Sequence, residues 1–241
     1  MPWLAPLIVL AGAGALLWLG HRFRHVGAGS SNPYAARAWR YQPAALGVAV
    51  VAVILVRIAA PDHADYLAVG DWSAPASGLV WLGVSDTDTW ATVGLTFLVV
   101  MTLVTAVVLW FQVGRGAGLT PGLVVRALPL AVVFSAVNAL SEELLFRLTL
   151  AEALGPVASA TVVAAIAAAV FGVPHWFGSP GGVPGVLLAG FMGWFLTLSV
   201  LQTGGLGWAW TIHLVQDVVI ITLLMAREQR AAMLPVVTVG A

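Results

Sequence analysis

Six ionisable residues stand inside strongly apolar stretches of the chain: Glu142, Glu143, Arg147, His175, His213 and Asp217. An ionisable group at mid-span of a membrane helix costs at least ~2.5–3.5 kcal/mol, so such residues are functional candidates by default. Glu142 and Glu143 are adjacent, and at ~100° per residue they leave a helix on different faces. Arg147 follows Glu143 by four residues and shares its face, which allows a Glu→Arg ion pair that neutralises Glu143. Glu142 has no equally well placed counter-ion. It falls on a polar stripe with Ser135, Asn138 and Thr149. A carboxylate free of a cationic partner is available as a general base, although paired acids that serve only helix packing would give the same pattern.

His213 and Asp217 are likewise four apart, with Gln216 beside them. The carboxylate there either orients the imidazole or forms with it a hydrogen-bonded pair that holds helices together. His175 follows Pro174 at the end of an alanine-rich run and precedes a Gly/Pro-rich segment, Gly178–Gly185. Non-helical backbone at membrane depth is tolerated only where it is buried in protein or lines a watery cavity. A lone histidine at such a place is an interfacial residue or part of a site.

The elements that position these groups follow from composition. The chain has 241 residues, 61% hydrophobic and 8% charged, with mean hydropathy +0.99. Soluble domains carry about 25% charge, so an all-α polytopic membrane bundle is expected. Without cysteine, disulfide scaffolds, zinc ribbons and iron–sulfur proteins are excluded. Ten basic residues balance ten acidic ones and form no dense patch, which argues against nucleic acid as a partner.

Apolar runs occur at about Trp3–Gly20, Pro43–Ala60, Trp90–Val113, Leu123–Leu154, Val157–Phe171, Val183–Leu201 and Leu206–Ala226, about seven spans of the ~20 residues a bilayer requires. The first run has its arginines after it rather than before, the pattern of a retained helix. Arg22, Arg24, Arg37 and Arg40 fall in the loop after span one, Arg115 and Arg126 after span three, Arg227 and Arg230 at the C-terminus. The loop 61–89 after span two is acidic, with Asp62, Asp65, Asp71, Asp86 and Asp88. By the positive-inside rule the N-terminus is outside and the C-terminus cytoplasmic, with Arg57 the one dissenter, snorkelling or paired with an acid of that loop. The organisation expected is three N-terminal spans in 1–122, a four-helix core in 123–226 and a tail in 227–241.

Depth arithmetic lets the site residues meet. At 1.5 Å per residue, Glu142 lies roughly 24 Å above Arg126 and His213 roughly 21 Å above Arg227, both measured from the inner side. From the outer turn at Gly155–Pro156, Glu142 lies roughly 20 Å down and His175 roughly 28 Å down. These levels agree within about 10 Å before tilt is considered.

Glu142-Glu143-x-x-x-Arg147, Phe171-x-x-x-His175 and His213-x-x-x-Asp217, in that order and each in or at the end of a span, resemble the three-motif signature of the CPBP (Abi) intramembrane endopeptidases, relatives of the eukaryotic type II CAAX prenyl endopeptidase. The resemblance covers roughly Leu123–Ala226. It implies that Glu142 activates the attacking water, that His175 assists that water or shuttles its proton, and that His213 with Asp217 stabilises the oxyanion. Glu143, Arg147 and Asn138 would support them. Family members often carry asparagine where this chain has Asp217, and an aspartate donates no hydrogen bond unless protonated; it is expected instead to orient His213.

The same family is often labelled a metalloprotease. Two histidines and a carboxylate could bind Zn²⁺, but no HExxH helix is present and the ligands would come singly from separate spans. The expectation is therefore a glutamate-type protease requiring no cofactor, with Zn²⁺ the weaker alternative. The expected substrate is a leader peptide or membrane-protein tail reached within the lipid bilayer of a prokaryotic plasma membrane. A bacteriocin-immunity-type membrane protein and a proton-coupled transporter are the competing readings. The small-residue spacings Gly181/Gly185 and Ala189/Gly193 mark helix contacts within one chain or between two, and oligomeric state stays open.

Overall fold

The computed structural model describes residues 1–85 and 87–234. Asp86 of the acidic loop and residues 235–241 of the expected tail lie outside the described residues. Eight α-helices account for the architecture: α1 (Ala5–Phe23, entered through a 3₁₀ turn at Pro2–Leu4), α2 (Pro33–Ala59), α3 (Trp90–Leu109), α4 (Pro121–Glu142), α5 (Thr149–Leu154), α6 (Ala160–Gly172), α7 (Gly182–Thr203) and α8 (Gly207–Ala232). A π-helical segment, Glu143–Leu148, joins α4 to α5 in one continuous rod, so seven helices are long and apolar enough to cross a membrane. Among the described residues the only β pairing is an isolated bridge, Pro75 to Thr89.

Span two differs most from the sequence expectation. It begins at Pro33, ten residues before Pro43, because Asn32 caps it, its side chain accepting from the Ala35 N–H at 3.1 Å, and Pro33 has the fixed φ suited to a first helical turn. Arg37 and Arg40 therefore lie on α2 and not in the preceding loop. The inward face of α2 is Ala35, Ala38, Gln42, Ala45, Ala49, Ala52 and Val56, at alternating steps of three and four. Such a stripe of small residues lets backbones approach, which is how helices associate where lipid removes the hydrophobic drive. At the other end of the chain, α8 runs to Ala232, so Arg227 and Arg230 are helical too.

Helices α6 and α7 pack closest. A Cβ on Gly193 would stand 2.7 Å from the Ala167 carbonyl oxygen, and one on Gly172 would stand 2.9 Å from Gly190 Cα. The pairing anchors the 3₁₀ turn Val173–Phe177 that carries His175. The Gly178–Gly182 stretch is tied in turn to the π-helical segment Trp110–Gly114 that continues α3: Gln112 accepts from the Gly181 N–H at 3.1 Å and donates to its carbonyl at 3.4 Å.

The loop between α2 and α3 is folded over the neighbouring ends of α7 and α8. Gln202 accepts from Ser77 N–H and Trp90 Nε1–H, both at 3.0 Å, and donates to the Ser77 carbonyl at 3.0 Å. Trp208 Nε1 donates to the Trp72 carbonyl at 3.0 Å. Gly70 (φ +83°) takes a left-handed conformation against Gly205, where a Cβ would meet Gly205 N and Thr203 O at 2.8 Å. Arg57, the dissenter, forms a two-pronged ion pair with the fully buried carboxylate of Glu152 and reaches Asp65 at 3.3 Å.

Candidate active site

Glu142 is the last residue of α4 and Glu143 the first of the π segment. Widening the helix at this point inserts a residue into the register, a device that is frequent at functional sites. It turns Glu143 and Arg147 wholly into the bundle, both fully buried, while Glu142 faces a cavity. Arg147 Nη1 lies 3.4 Å from Glu143 Oε1, and the guanidinium sits 3.8 Å over the ring of Phe171. A buried cation is thus balanced by one carboxylate and one aromatic face.

His213 is fixed from α8. Its Nδ1 donates to Glu143 Oε1 at 2.6 Å, and its Nε2 stands 3.5 Å from Glu142 Oε2 and 3.7 Å from Asp217 Oδ1. The carboxylate expected to orient this imidazole was Asp217; the hydrogen bond comes from Glu143 instead, because the π segment aims Glu143 across the bundle at α8. Asp217 is held from another direction. Asn138 Nδ2 donates both to Glu142 Oε1 at 3.2 Å and to Asp217 Oδ2 at 3.0 Å, so a single amide clamps the two acids. Gln42 Nε2 donates to Asn138 Oδ1 at 3.3 Å, which fixes which way that amide points.

His175 Nδ1 donates to the Phe171 carbonyl at 2.7 Å, one helical turn back. A carbonyl oxygen only accepts, so Nδ1 carries the proton and neutral His175 presents a bare Nε2. The Phe171 ring lies 4.5 Å from the His175 ring and 5.9 Å from that of His213, and also supports Arg147, so one side chain touches three members of the constellation.

Glu142, His175, His213, Asp217 and Asn138 all line one cavity of about 300 Å³, whose walls also include Arg37, Tyr34, Ser179 and Pro180. A second, more apolar cavity of about 400 Å³ lies between α1 and the His175 turn, walled by Ala13, Leu16, Leu17, Phe146 and Phe177. The two share Gly20, Tyr41, Glu142, His175 and Gly178, so Glu142 stands where they join. Ser135 and Thr149, expected on the same stripe, belong elsewhere. Ser135 is fully buried, and Thr149, beyond the π segment, donates to the Leu145 carbonyl.

Sequence reasoning missed Tyr41 and Gln42. With span two taken to start at Pro43, both fell in a loop, although they are polar residues on a membrane helix. The capping pair Asn32-Pro33 was the signal that would have recovered them.

Residues 124–219 match the family model described as type II CAAX prenyl endopeptidase Rce1-like. This stretch is similar to that family. It extends from α4 through Asp217 on α8 and takes in all three motifs, in accord with the resemblance to the CPBP endopeptidases. No curated protein matches the chain, and no solved structure does. With its seven apolar helices the chain is an integral membrane protein, and the Rce1-like segment supports a CAAX-type intramembrane protease in general terms. Among the described residues no three His, Asp or Glu side chains stand together in an arrangement that would hold a metal ion. The two site histidines, His175 and His213, commit Nδ1 to the Phe171 carbonyl and to Glu143, which leaves the Nε2 of each to the cavity.

Proposed function

We propose that the protein is an intramembrane endopeptidase of glutamate type, in which Glu142 activates a water molecule that attacks a peptide carbonyl. The observation that supports this is the meeting of Glu142 and the bare Nε2 of His175 at the junction of two cavities, the second more apolar than the first. A water there donates one hydrogen to each. As its oxygen bonds to the carbonyl carbon, one proton passes to the Glu142 carboxylate and the carbonyl π electrons become an oxyanion. His213 in its imidazolium form offers Nε2–H to that oxyanion, its other N–H being held by Glu143. Collapse breaks the C–N bond, and the proton on Glu142 passes to the leaving amine. Asp217, bridged to Glu142 through Asn138, keeps the amide clamp in place.

The reaction in this reading needs no metal. The substrate is a peptide segment whose apolar part lies in the cavity beside α1, such as a leader peptide or the tail of a membrane protein. In this proposal the wall of the cavity that includes Arg37 lies on the arginine-bearing side, taken by the positive-inside rule as the cytoplasmic face of a prokaryotic plasma membrane.

The test is cleavage of a fluorogenic peptide library by detergent-purified protein, comparing wild type, Glu142→Ala and His213→Ala with and without a chelator. Loss in both variants together with indifference to chelator supports the mechanism. Loss on chelation with recovery in Zn²⁺ overturns its metal-free character. Activity that survives Glu142→Ala overturns the assignment of the base.

A further inference from the structure

The hydrogen-bond donors around the reacting centre can be counted. Both N–H groups of Asn138 are used, on Glu142 and on Asp217. Asp217 as a carboxylate only accepts. Gln216 Nε2 is directed at Thr105 Oγ1, 2.6 Å away on α3. Gln42 Nε2 uses one of its two N–H groups on the Asn138 side-chain carbonyl, which holds the amide against α4. His175, with its proton on Nδ1, presents an acceptor. The backbone N–H of Gly178 donates to the His175 carbonyl at 3.0 Å. His213 therefore supplies one donor at most, whereas a preorganised oxyanion site gains from a second.

Tyr41 is placed to provide it. Of the residues that line both cavities, Gly20, Tyr41, Glu142, His175 and Gly178, it alone carries a hydroxyl. Glu142 lines both cavities with it and Asp217 lines the first, so Tyr41 shares its walls with both acids of the site. It precedes Gln42 on α2, and α2 packs against α4, α8 and the π segment, so the residue is held on a rigid element.

We propose that Tyr41 is a catalytic residue, its phenolic O–H donating a hydrogen bond to the oxyanion formed where the two cavities meet. The hydroxyl keeps its proton throughout; it stabilises developing charge and transfers nothing. This assignment rests on the hydrolase reading above. It extends the working site beyond the Rce1-like segment to a helix of the N-terminal part.

The experiment measures kcat and KM for wild type, Tyr41→Phe, Asp217→Asn and the double variant on a peptide that wild type cleaves, with thermal unfolding of each in detergent. Tyr41→Phe is expected to lower kcat about 100-fold at nearly constant KM, the size of one lost oxyanion donor. In the Asp217→Asn background the loss shrinks to about tenfold or less, because asparagine at 217 brings a new N–H to the same space. A kcat for Tyr41→Phe within about twofold of wild type overturns the proposal. So does an equal loss in both backgrounds accompanied by a lower melting temperature, which marks a packing role. A wild-type protein that cleaves no peptide, or cleavage that survives Glu142→Ala, overturns the hydrolase reading and this assignment with it. Those outcomes are read from different variants than the failure of Tyr41 alone.

Discussion

Glu143 Oε1 accepts a hydrogen bond from His213 Nδ1 at 2.6 Å and lies 3.4 Å from Arg147 Nη1, so one buried carboxylate oxygen serves an imidazole on α8 and a guanidinium on its own segment. Glu143→Gln removes the charge that supports the His213 imidazolium and can offer an N–H where Nδ1–H needs an acceptor. Loss of an orienting carboxylate in this way lowers turnover by about 10⁴-fold in the serine-protease triad. The expected result is a kcat decrease of about 100-fold or more with KM little changed, measured by steady-state peptide cleavage.

Arg147 is fully buried, and its charge is what allows Glu143 to be buried as well. Arg147→Leu strands a carboxylate in the bundle, and breaking a buried pair costs about 3–5 kcal/mol. The double variant Arg147→Leu/Glu143→Gln is expected to recover much of that loss, since neither buried charge remains. Thermal unfolding in detergent reads the difference; an Arg147→Leu protein as stable as wild type would contradict the pairing.

The amide clamp predicts a graded pair of effects. Asn138→Ala frees both Glu142 and Asp217 and is expected to lower kcat on the order of 100-fold, as loss of a group that positions the base does. Gln42→Ala removes only the hydrogen bond that sets the amide's direction, so its effect is smaller, about tenfold. Kinetics of both variants and of the double test the order. A double variant no worse than Asn138→Ala places Gln42 upstream through Asn138.

Close packing of α6 on α7 predicts the consequence of adding bulk. Gly193→Val forces side-chain atoms against the Ala167 carbonyl, and overpacking costs typically about 1–3 kcal/mol. Because the displaced end of α6 leads into the turn bearing His175, kcat is expected to fall along with the melting temperature. Retained activity at reduced stability would show that the His175 turn is held from α3 rather than α6.

The candidate site was legible because hydropathy makes an ionisable group in an apolar run conspicuous: Glu142, Glu143, Arg147, His213 and Asp217 each interrupt a strongly apolar run. Tyr41 and Gln42 were hidden by the same measure. They sit among Arg37, Arg40 and Pro43, where hydropathy falls although the helix continues, because hydropathy follows contact with lipid and α2 is helical for a different reason, its cap. The π segment was not legible at all. Its hydrogen-bond register is a property of the backbone, and no residue type in Glu143–Leu148 announces it. The segment begins at Glu143, the residue that accepts from His213 Nδ1. The folding of loop 61–89 over α7 and α8 escaped as well, since it depends on pairings such as Gln202 with Ser77, 125 positions apart.

The Gln202 and Trp208 contacts that fasten this loop have a mechanical consequence. They tie the loop to the C-terminal end of α7 and the N-terminal end of α8, so the two helices are spliced to one another by a segment nearly as far back in the chain as α2. Cutting that segment would leave the covalent turn between them as their main tether at that end.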